Sequence, residues 1–197
     1  MAVNTELIKK LRGMTGAGMM DVKKALEDAG GDLDAAAKLL RERGIAKADK
    51  KADRAASEGL VGSYIHHNGK IAVLVEVNCE TDFVALNQTF QDLARNLAMH
   101  IAMAAPKYVR REDVPEDLVA AERAALRKQA LEEGKPEAVA DKIVEGRLNK
   151  FFSEVVLLDQ PYVKDDKRTV GELVKEAAAT LGENIQVGRF ARIAVGE

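Results

Sequence analysis

The chain has 197 residues, a hydrophobic content of 47% and a net charge of −2, which is enough apolar material for one buried core and a small additional module. No apolar run approaches the roughly 20 residues of a membrane-spanning helix, and the first residues carry no basic segment followed by an apolar stretch, so we expect neither a membrane protein nor a secretory signal. The single cysteine, Cys79, cannot form an internal disulfide and is typical of a reducing compartment, which predicts a cytoplasmic protein.

Three short helices are predicted over residues 1–45. Asn4 and Asp32 are typical N-cap residues before the first and third helices. Glycines at 13–18, at 30–31 and at Gly44 are predicted to end the three helices. Each helix carries apolar residues at helical spacing: Leu7, Ile8 and Leu11; Val22, Ala25 and Leu26; Leu33, Ala36, Leu39 and Leu40. We expect this small domain to use most of its apolar stripes for its own core.

Residues 46–58 are predicted to be a charged linker. The overlapping segment 41–54 (RERGIAKADKKADR) contains six basic and three acidic residues, which fits either a solvated linker or helix end, or a stripe that binds phosphate groups. The near-neutral net charge, the absence of tryptophan and an aromatic content of 4% argue against a nucleic-acid-binding module. We therefore expect no nucleic-acid partner.

After this linker the pattern changes from helix to strand, and residues 59–197 are predicted to form an α+β core. The β-forming residues at 60–66 precede Asn68-Gly69, which favours a two-residue hairpin turn. Residues 71–78 alternate between the two faces of a strand, one of them strongly apolar. A helix with a buried stripe from Phe90 to Ile101 follows.

The rest of the core is predicted to contain a helical hairpin, one more helix and a last strand. Two long charged helices over 116–133 and 137–152 are joined at residues 134–136 (GKP), and their charge suggests that the hairpin projects into solvent. Thr169 and Glu172 fit a capping box, and residues 185–195 read as the last strand. The class is α+β, with a small antiparallel sheet covered by helices.

Groups suited to covalent or metal chemistry are few. A cysteine hydrolase needs a base beside its nucleophile, and no signature around Cys79 supports one, so a buried strand thiol is the preferred interpretation. His66 and His67 are adjacent on a predicted strand and should point to opposite faces, which disfavours a shared metal ion. The acidic residues between positions 76 and 82 are interpreted as a solvated loop. We expect no catalytic activity, no cofactor and no metal site.

Two apolar features suggest a partner surface. The glycine-rich segment 13–18 lacks the Gly-Lys-Ser/Thr of a phosphate loop, so we expect a tight turn between helices and no direct nucleotide binding. Met19 and Met20 follow this turn, and Phe83 lies at a strand-to-helix corner. The local pattern leaves open whether these side chains belong to the core or form an exposed binding surface.

Two segments resemble the signature motifs of the elongation factor Ts family: residues 11–26 (LRGMTGAGMMDVKKAL) and 76–85 (EVNCETDFVA). Residues 64–69 (YIHHNG) and 160–165 (QPYVKD) are also similar, so the resemblance follows the family order over essentially the whole chain. It implies a nucleotide exchange factor for the GTPase elongation factor Tu. It also implies a ubiquitin-associated-like N-terminal bundle and an antiparallel coiled-coil hairpin over residues 116–152.

The resemblance implies roles for individual residues. One group matches positions that dock on the nucleotide domain of elongation factor Tu: Leu11, Met19 and Met20. A second group matches the segment that intrudes beside the magnesium and nucleotide site of that partner: Thr81, Asp82, Phe83 and Val84. The helical hairpin matches another element that contacts the partner.

The sequence departs from the family pattern in two respects. Leu86 occupies a position that is usually polar or basic in the family, which puts any polar contact there in doubt. Longer members contain two related sheet–helix units where this chain has one, and self-association would restore the second unit. We therefore expect a two-fold homodimer, with the C-terminal strand 185–195 as a contact if it lies at a sheet edge. The alternative is that this strand is paired on both sides within its own chain.

Overall fold

The computed structural model describes residues 4–197, apart from the side chain of Ala138, and has the predicted α+β architecture. Residues 1–3, the start of the predicted first domain, lie outside the described residues. The helices are α1 (Thr5–Thr15), α2 (Met19–Asp28), α3 (Leu33–Asp49), α4 (Asp82–Ala85), α5 (Gln88–Ala104), α6 (Glu116–Glu132), α7 (Glu137–Val155) and α8 (Val170–Leu181). The strands are β1 (Glu58–Ile65), β2 (Ile71–Cys79), β3 (Pro161–Tyr162), β4 (Asp165–Thr169) and β5 (Gln186–Ala194).

The described residues divide into two compact units. The first contains residues 4–60, 77–93 and 174–186, and the second contains residues 61–76, 94–173 and 187–197. The boundaries at 1–45, 46–58 and 59–197 drawn from the sequence stay a prediction. Across residues 4–197, none of the helices combines the length and apolar character needed to cross a membrane.

The first unit contains the three predicted N-terminal helices with the predicted caps. Asn4 Oδ1 accepts a hydrogen bond from the Glu6 N–H at 3.0 Å, and the Asp32 carboxylate accepts one from the Ala35 N–H at 2.8 Å. The amphipathic stripes meet in a shared core: Leu11, Val22, Ala25, Leu26, Ala36 and Leu40. The caps and the 3–4 spacing were sufficient to predict this packing, whereas its ubiquitin-associated-like character stays a prediction.

The predicted end of the third helix at Gly44 is wrong. Helix α3 continues to Asp49, and Gly44 lies inside it. A Cβ atom at Gly44 would come within 2.9 Å of the Ala179 Cβ on α8, which is closer than side chains normally approach. Gly44 is therefore needed for close approach of two helices and not for a left-handed cap, so part of the predicted linker is helical.

The second unit contains most of a three-stranded sheet with the order β1-β2-β5. The alternation predicted for β2 is confirmed, because Val73 and Val75 are buried while Leu74 is exposed. Gly62 of β1 lies under α5, where an added Cβ would come within 2.6 Å of the Ala94 carbonyl oxygen. Strand β5 pairs with β2 at one side and ends the sheet order, so it is an edge strand within the described sheet.

The hairpin between β1 and β2 is confirmed, but the predicted two-residue turn is wrong. The Gly69 N–H bonds the His66 carbonyl at 2.8 Å, and the His66 N–H bonds the Ile71 carbonyl at 2.8 Å. Gly69 has φ +69°, whereas Asn68 is not among the residues with positive φ. A two-residue type I′ turn requires positive φ at both central positions, so the loop is longer and uses only its glycine for left-handed backbone.

Helices α6 and α7 pack against each other as the predicted helical hairpin. The turn between them contains Gly134 with φ +75°. Ion pairs link the two helices along their length: Arg123–Glu145, Arg127–Glu137 and Arg147–Glu133. At the base of the hairpin, Leu148, Phe152 and Val156 form a buried cluster with Val114. The coiled-coil geometry of this hairpin stays a prediction.

The short sheet β3–β4 was not predicted, because two and five residues are too few to show a clear alternation. A buried polar side chain supports this region. His100 has no exposed surface, and its Nε2 lies 2.9 Å from Oε1 of Gln160. The Val163 N–H donates to His100 Nδ1 at 3.3 Å, so Nε2 carries the proton and the imidazole is neutral. The predicted capping box of α8 is confirmed by reciprocal bonds between Thr169 and Glu172.

Candidate partner-binding site

Phe83 lies on the surface at the predicted corner between β2 and α4. Its side chain is 81% exposed, Asp82 is also exposed, and Thr81 and Val84 are half-buried. The four-residue helix α4 contains no buried residue. The core alternative for Phe83 is therefore wrong, because the side chain projects from the protein instead of filling it.

A carboxylate from a distant part of the chain holds the start of this corner. Glu183 Oε2 accepts hydrogen bonds from the N–H groups of Glu80 and Thr81, both at 3.0 Å. Its other oxygen accepts a bond from the Thr81 hydroxyl at 2.7 Å. Thr81 is the N-cap of α4, and its hydroxyl oxygen accepts a bond from the Val84 N–H at 3.4 Å. The Glu183 side chain thus binds both the backbone and the side chain of Thr81, the N-cap residue that precedes α4.

A second contact runs in the opposite direction between the turn before α4 (residues 80–81) and the turn after α8 (residues 183–184). Glu80 Oε1 accepts a hydrogen bond from the Asn184 N–H at 2.7 Å, which is the principal cause of the lowered pKa of Glu80. The Asn184 side chain donates to the carbonyl oxygens of Ala52 and Arg54 at 3.0 and 2.6 Å. We call Glu80, Thr81, Glu183 and Asn184 the corner clamp. The solvated loop expected here is therefore wrong for Glu80, whose carboxylate is bonded.

The methionines in and beside the glycine-rich segment are exposed. Helix α1 ends at Thr15 and is capped by Gly16, which has φ +65°, and α2 begins at Met19, so the predicted tight turn between helices is confirmed. Met19 and Met20 at the start of α2 are 57% and 76% exposed, and Met14 near the end of α1 is 59% exposed. Flexible thioether side chains suit a surface that adapts to a partner. Met14 was not predicted as a site residue, although its place in the glycine-rich motif was a signal for it.

Leu11 differs from the methionines in its surroundings. It has no exposed surface and belongs to the core of α1–α3. A side chain without exposed surface cannot contact a partner unless α1 moves, so the direct docking expected for Leu11 is not available in this structure. It lies on the inner face of α1, where it packs in the core shared with α2 and α3.

The cysteine and the adjacent histidines considered for covalent or metal chemistry do not form a reactive arrangement within the described residues. Cys79 is fully buried and its thiol lies 3.1 Å from the Thr81 carbonyl oxygen. Burial, followed by the charge of Glu183, raises the pKa of the Cys79 thiol and opposes thiolate formation. His66 and His67 lie beyond the end of β1 with ring centroids 4.2 Å apart, so the expectation of opposite strand faces is wrong. Within residues 4–197, no cluster of three candidate metal ligands is found.

Glu183 is a functional candidate that sequence reasoning missed. It follows the end of α8 and lies about 100 positions after the motif that it contacts, since the separation to Thr81 is 102 residues. A glutamate after a helix-ending glycine has no local signal that distinguishes it from a solvated residue. Only the tertiary fold brings it to the corner.

The sequence is similar to a known family and to proteins that carry its name. The family model described as elongation factor TS matches residues 34–197. A protein named elongation factor Ts from Solidesulfovibrio magneticus is 54% identical over 196 residues, covering 100% of this chain and 98% of the relative. Proteins of the same name from Carboxydothermus hydrogenoformans and Geobacter sp. are 55% and 53% identical, covering 99% and 100% of this chain and 90% and 91% of the relatives.

Proposed function

Because the chain belongs to the elongation factor Ts family, we propose that it is a guanine nucleotide exchange factor that binds elongation factor Tu and accelerates release of GDP. The observation that carries this proposal is the corner at Thr81–Val84, where the family motif presents Phe83 with 81% of its side chain exposed. An exposed aromatic on a helix without buried residues contributes little to the protein's own core. It is suited to burial in a partner.

The mechanism follows from thermodynamic linkage. A GTPase holds GDP and Mg²⁺ through its phosphate loop. A factor that binds the nucleotide-free form more tightly than the GDP form must weaken GDP binding by the same ratio. Burial of the Phe83 ring contributes up to about 3 kcal/mol for a side chain of this size, which stabilises a displaced arrangement of the nucleotide site. Asp82 enters beside the magnesium ion, and no bond is made or broken within this chain.

Docking is assigned to separate surfaces. Met19 and Met20, joined by Met14, provide an apolar patch that contacts the nucleotide domain of elongation factor Tu. The hairpin α6–α7, proposed to have coiled-coil geometry, provides a second contact. The bundle α1–α3, proposed to be ubiquitin-associated-like, has Leu11 as part of its core and not of its surface. The exchange takes place in the cytoplasm, the compartment predicted from the lone cysteine.

Nucleic-acid binding is the weaker alternative. Most basic residues of segment 41–54 pair with carboxylates in the structure: Arg41 with Glu176, Arg43 with Asp28, Lys47 with Asp21, and Arg54 with Glu80. Such exposed pairs contribute little stability, but they reduce the positive potential available to phosphate groups. This arrangement supports a solvated segment and not a phosphate-binding stripe.

The deciding experiment is release of fluorescent GDP from elongation factor Tu with and without the protein. The proposal expects release to accelerate with protein concentration towards a plateau. Calorimetry with GDP and GTP alone should show no binding to the isolated protein. Unchanged GDP release at a large excess of the protein would contradict the proposed function, and a salt-titrated RNA-binding assay would then test the alternative.

A further inference from the structure

In the corner that carries Phe83, the apolar side chains of Val84 and Ala85 are only half-buried. Helix α4 is only four residues long and contains no buried residue, and Phe83 is 81% exposed. An isolated helical turn is unstable in water, because few backbone hydrogen bonds offset the entropy of ordering it. The direction in which the ring points therefore depends on polar contacts at the start of α4.

Glu183 provides the largest share of those contacts. An ionised carboxylate is an acceptor only, and this one receives two backbone N–H groups and the Thr81 hydroxyl at 2.7–3.0 Å. The Thr81 hydroxyl donates a hydrogen bond to Glu183, so the lone pairs of the hydroxyl oxygen remain available to accept the Val84 N–H. The bonds to Glu183 thus select the orientation in which Thr81 caps α4.

The return contact prevents the two turns from moving independently. The Glu80 carboxylate accepts the Asn184 N–H at 2.7 Å, and the Asn184 side chain is itself bonded to two backbone carbonyls. Glu183 follows Gly182, whose φ of +77° ends α8, and the Gly182 carbonyl accepts a bond from Lys51. Glu183 is therefore held on a fixed turn, so it transmits this rigidity to the corner.

We infer that Glu183 is a positioning residue for nucleotide exchange. It preorganises the Thr81–Val84 corner so that Phe83 already has the orientation in which it enters the partner. This inference rests on the proposed function. Preorganisation lowers the entropic cost of inserting a side chain into a partner. In a complex that is already docked through the methionines and the helical hairpin, a corner that is competent only a fraction of the time lets Phe83 act more slowly in proportion to that fraction, so the maximal rate falls while the half-saturating concentration changes little.

The test measures GDP release from elongation factor Tu over a range of protein concentrations for the wild type, Glu183→Ala, Phe83→Ala and the double variant. Glu183→Ala is expected to lower the maximal rate about 10-fold, as for a corner populated about a tenth of the time, with little change in the half-saturating concentration. In the Phe83→Ala background the same substitution should have almost no further effect, because the residue acts through Phe83. Equal losses in both backgrounds, or no loss in either, would overturn the inference.

Two controls separate positioning from stability. Glu183→Gln keeps an acceptor oxygen and is expected to retain more of the maximal rate than Glu183→Ala, and it serves as the test variant should Glu183→Ala fail to fold. Glu42→Gln removes a carboxylate from an exposed position of α3 and should leave exchange at the wild-type rate. An identical loss from Glu183→Gln and Glu42→Gln would contradict the inference.

Hydrogen–deuterium exchange of the free protein tests the clamp without elongation factor Tu. Peptides covering residues 80–86 should exchange faster in Glu183→Ala, while those of α6 and α7 are unchanged. If the wild-type protein does not accelerate GDP release from elongation factor Tu, the proposed function is overturned, even if hydrogen exchange shows that the clamp protects the corner. If the wild type accelerates GDP release but Glu183→Ala leaves the protection of residues 80–86 unchanged, only the positioning role of Glu183 is overturned.

Discussion

At the scale of single residues, a substitution of Phe83 tests the proposed partner binding separately from folding. Its side chain is 81% exposed, so Phe83→Ala should leave the circular dichroism spectrum and thermal midpoint close to the wild type. Truncating an aromatic anchor typically costs about 2 kcal/mol or more, which is about 30-fold in affinity. We expect the rate of GDP release from elongation factor Tu to fall by this order in Phe83→Ala.

Met103→Ala is the matched surface control for that measurement, since Met103 is 60% exposed on α5 and belongs to no proposed contact. Its rate should stay within about threefold of the wild type, as for ordinary surface substitutions. If Phe83→Ala unfolds the protein, or exchanges nucleotide as fast as the control, the role assigned to Phe83 is wrong.

The double substitution of Met19 and Met20 by Ser should weaken binding without abolishing exchange. Both residues are more than half exposed, and in the proposed mechanism their apolar surface docks the factor while Phe83 acts near the nucleotide. The half-saturating protein concentration should rise about 10-fold, equivalent to roughly 1.4 kcal/mol, with the plateau rate retained because mass action offsets weaker docking. An unchanged dissociation constant in titration calorimetry would remove both methionines from the interface.

Phe83, the methionines and Leu11 show what the local sequence pattern can and cannot predict about exposure. It identified Phe83 and the methionines as apolar side chains at turns, but 3–4 spacing cannot decide whether such a side chain is covered by another element. Leu11 lies in the same family motif as Met19 and is fully buried. The difference arises from which side of α1 and α2 faces the bundle core, a property of packing between helices.

At the scale of elements, two helical glycines should respond oppositely to the same substitution. Gly44→Ala adds a Cβ within 2.9 Å of the Ala179 Cβ, whereas at Gly146 inside α7 an added Cβ meets nothing within 4 Å. Replacing a helical glycine by alanine gains up to about 1 kcal/mol of helix propensity. Gly146→Ala should therefore stabilise the protein in urea unfolding, and Gly44→Ala should destabilise it because α3 and α8 must separate. Stabilisation by both substitutions would show that the close approach at Gly44 is readily relieved.

The buried imidazole of His100 should make stability depend on pH. Burial lowers the pKa of His100 below its ordinary value, against a smaller opposing effect of the bond to Gln160. The unfolded state, with a pKa of about 6.5, therefore binds more protons as the pH falls. The stability from neutral His100 is fully present above that pH and is lost as the pH falls below it. Urea unfolding at pH 7.5 and 5.5 should show the decrease.

His100→Gln should be less stable than the wild type at pH 7.5 but should lose less stability between pH 7.5 and 5.5. The matched control is His67→Gln, at an exposed position of the β1–β2 loop, which should keep the wild-type pH dependence. An unaltered decrease in His100→Gln would assign the effect to other groups.

At the scale of the whole molecule, the order of helices and strands was predictable, whereas contacts between distant segments were not. N-caps, the Asn68-Gly69 signal and the alternation of β2 each involve a few neighbouring residues, and the structure contains the corresponding helices, hairpin and strand, although the hairpin loop is longer than the two residues predicted. Glu183 binding Thr81, and Gly44 meeting Ala179, each join segments more than 100 residues apart. No propensity or periodicity encodes such a pair, so the clamp behind Phe83 was not predictable.

The sheet of the second unit has an outer face and a free edge that suit self-association. Apolar side chains on or beside its strands are strongly exposed: Val61 at 63%, Ile65 at 71%, Leu74 at 54%, Ile193 at 71% and Val195 at 75%. Strand β5 ends the sheet order and pairs with β2 on one side, so it is not paired on both sides within the described sheet. Exposed apolar patches of this kind and open sheet edges commonly mark interfaces.

We predict that the protein is a two-fold homodimer that contacts its partner copy through this face and β5, because a two-fold interface closes and leaves no growing end. Sedimentation equilibrium at micromolar concentration should give about twice the chain mass of 21.4 kDa. Leu74→Lys and Ile193→Lys place charges on the face and should produce monomers. Val163→Lys, at a 46% exposed position between β3 and β4, should remain dimeric. If two sheet units are needed, the monomeric variants should also lose exchange activity. A wild-type monomer with full exchange activity would contradict both the dimer and the requirement for a second unit.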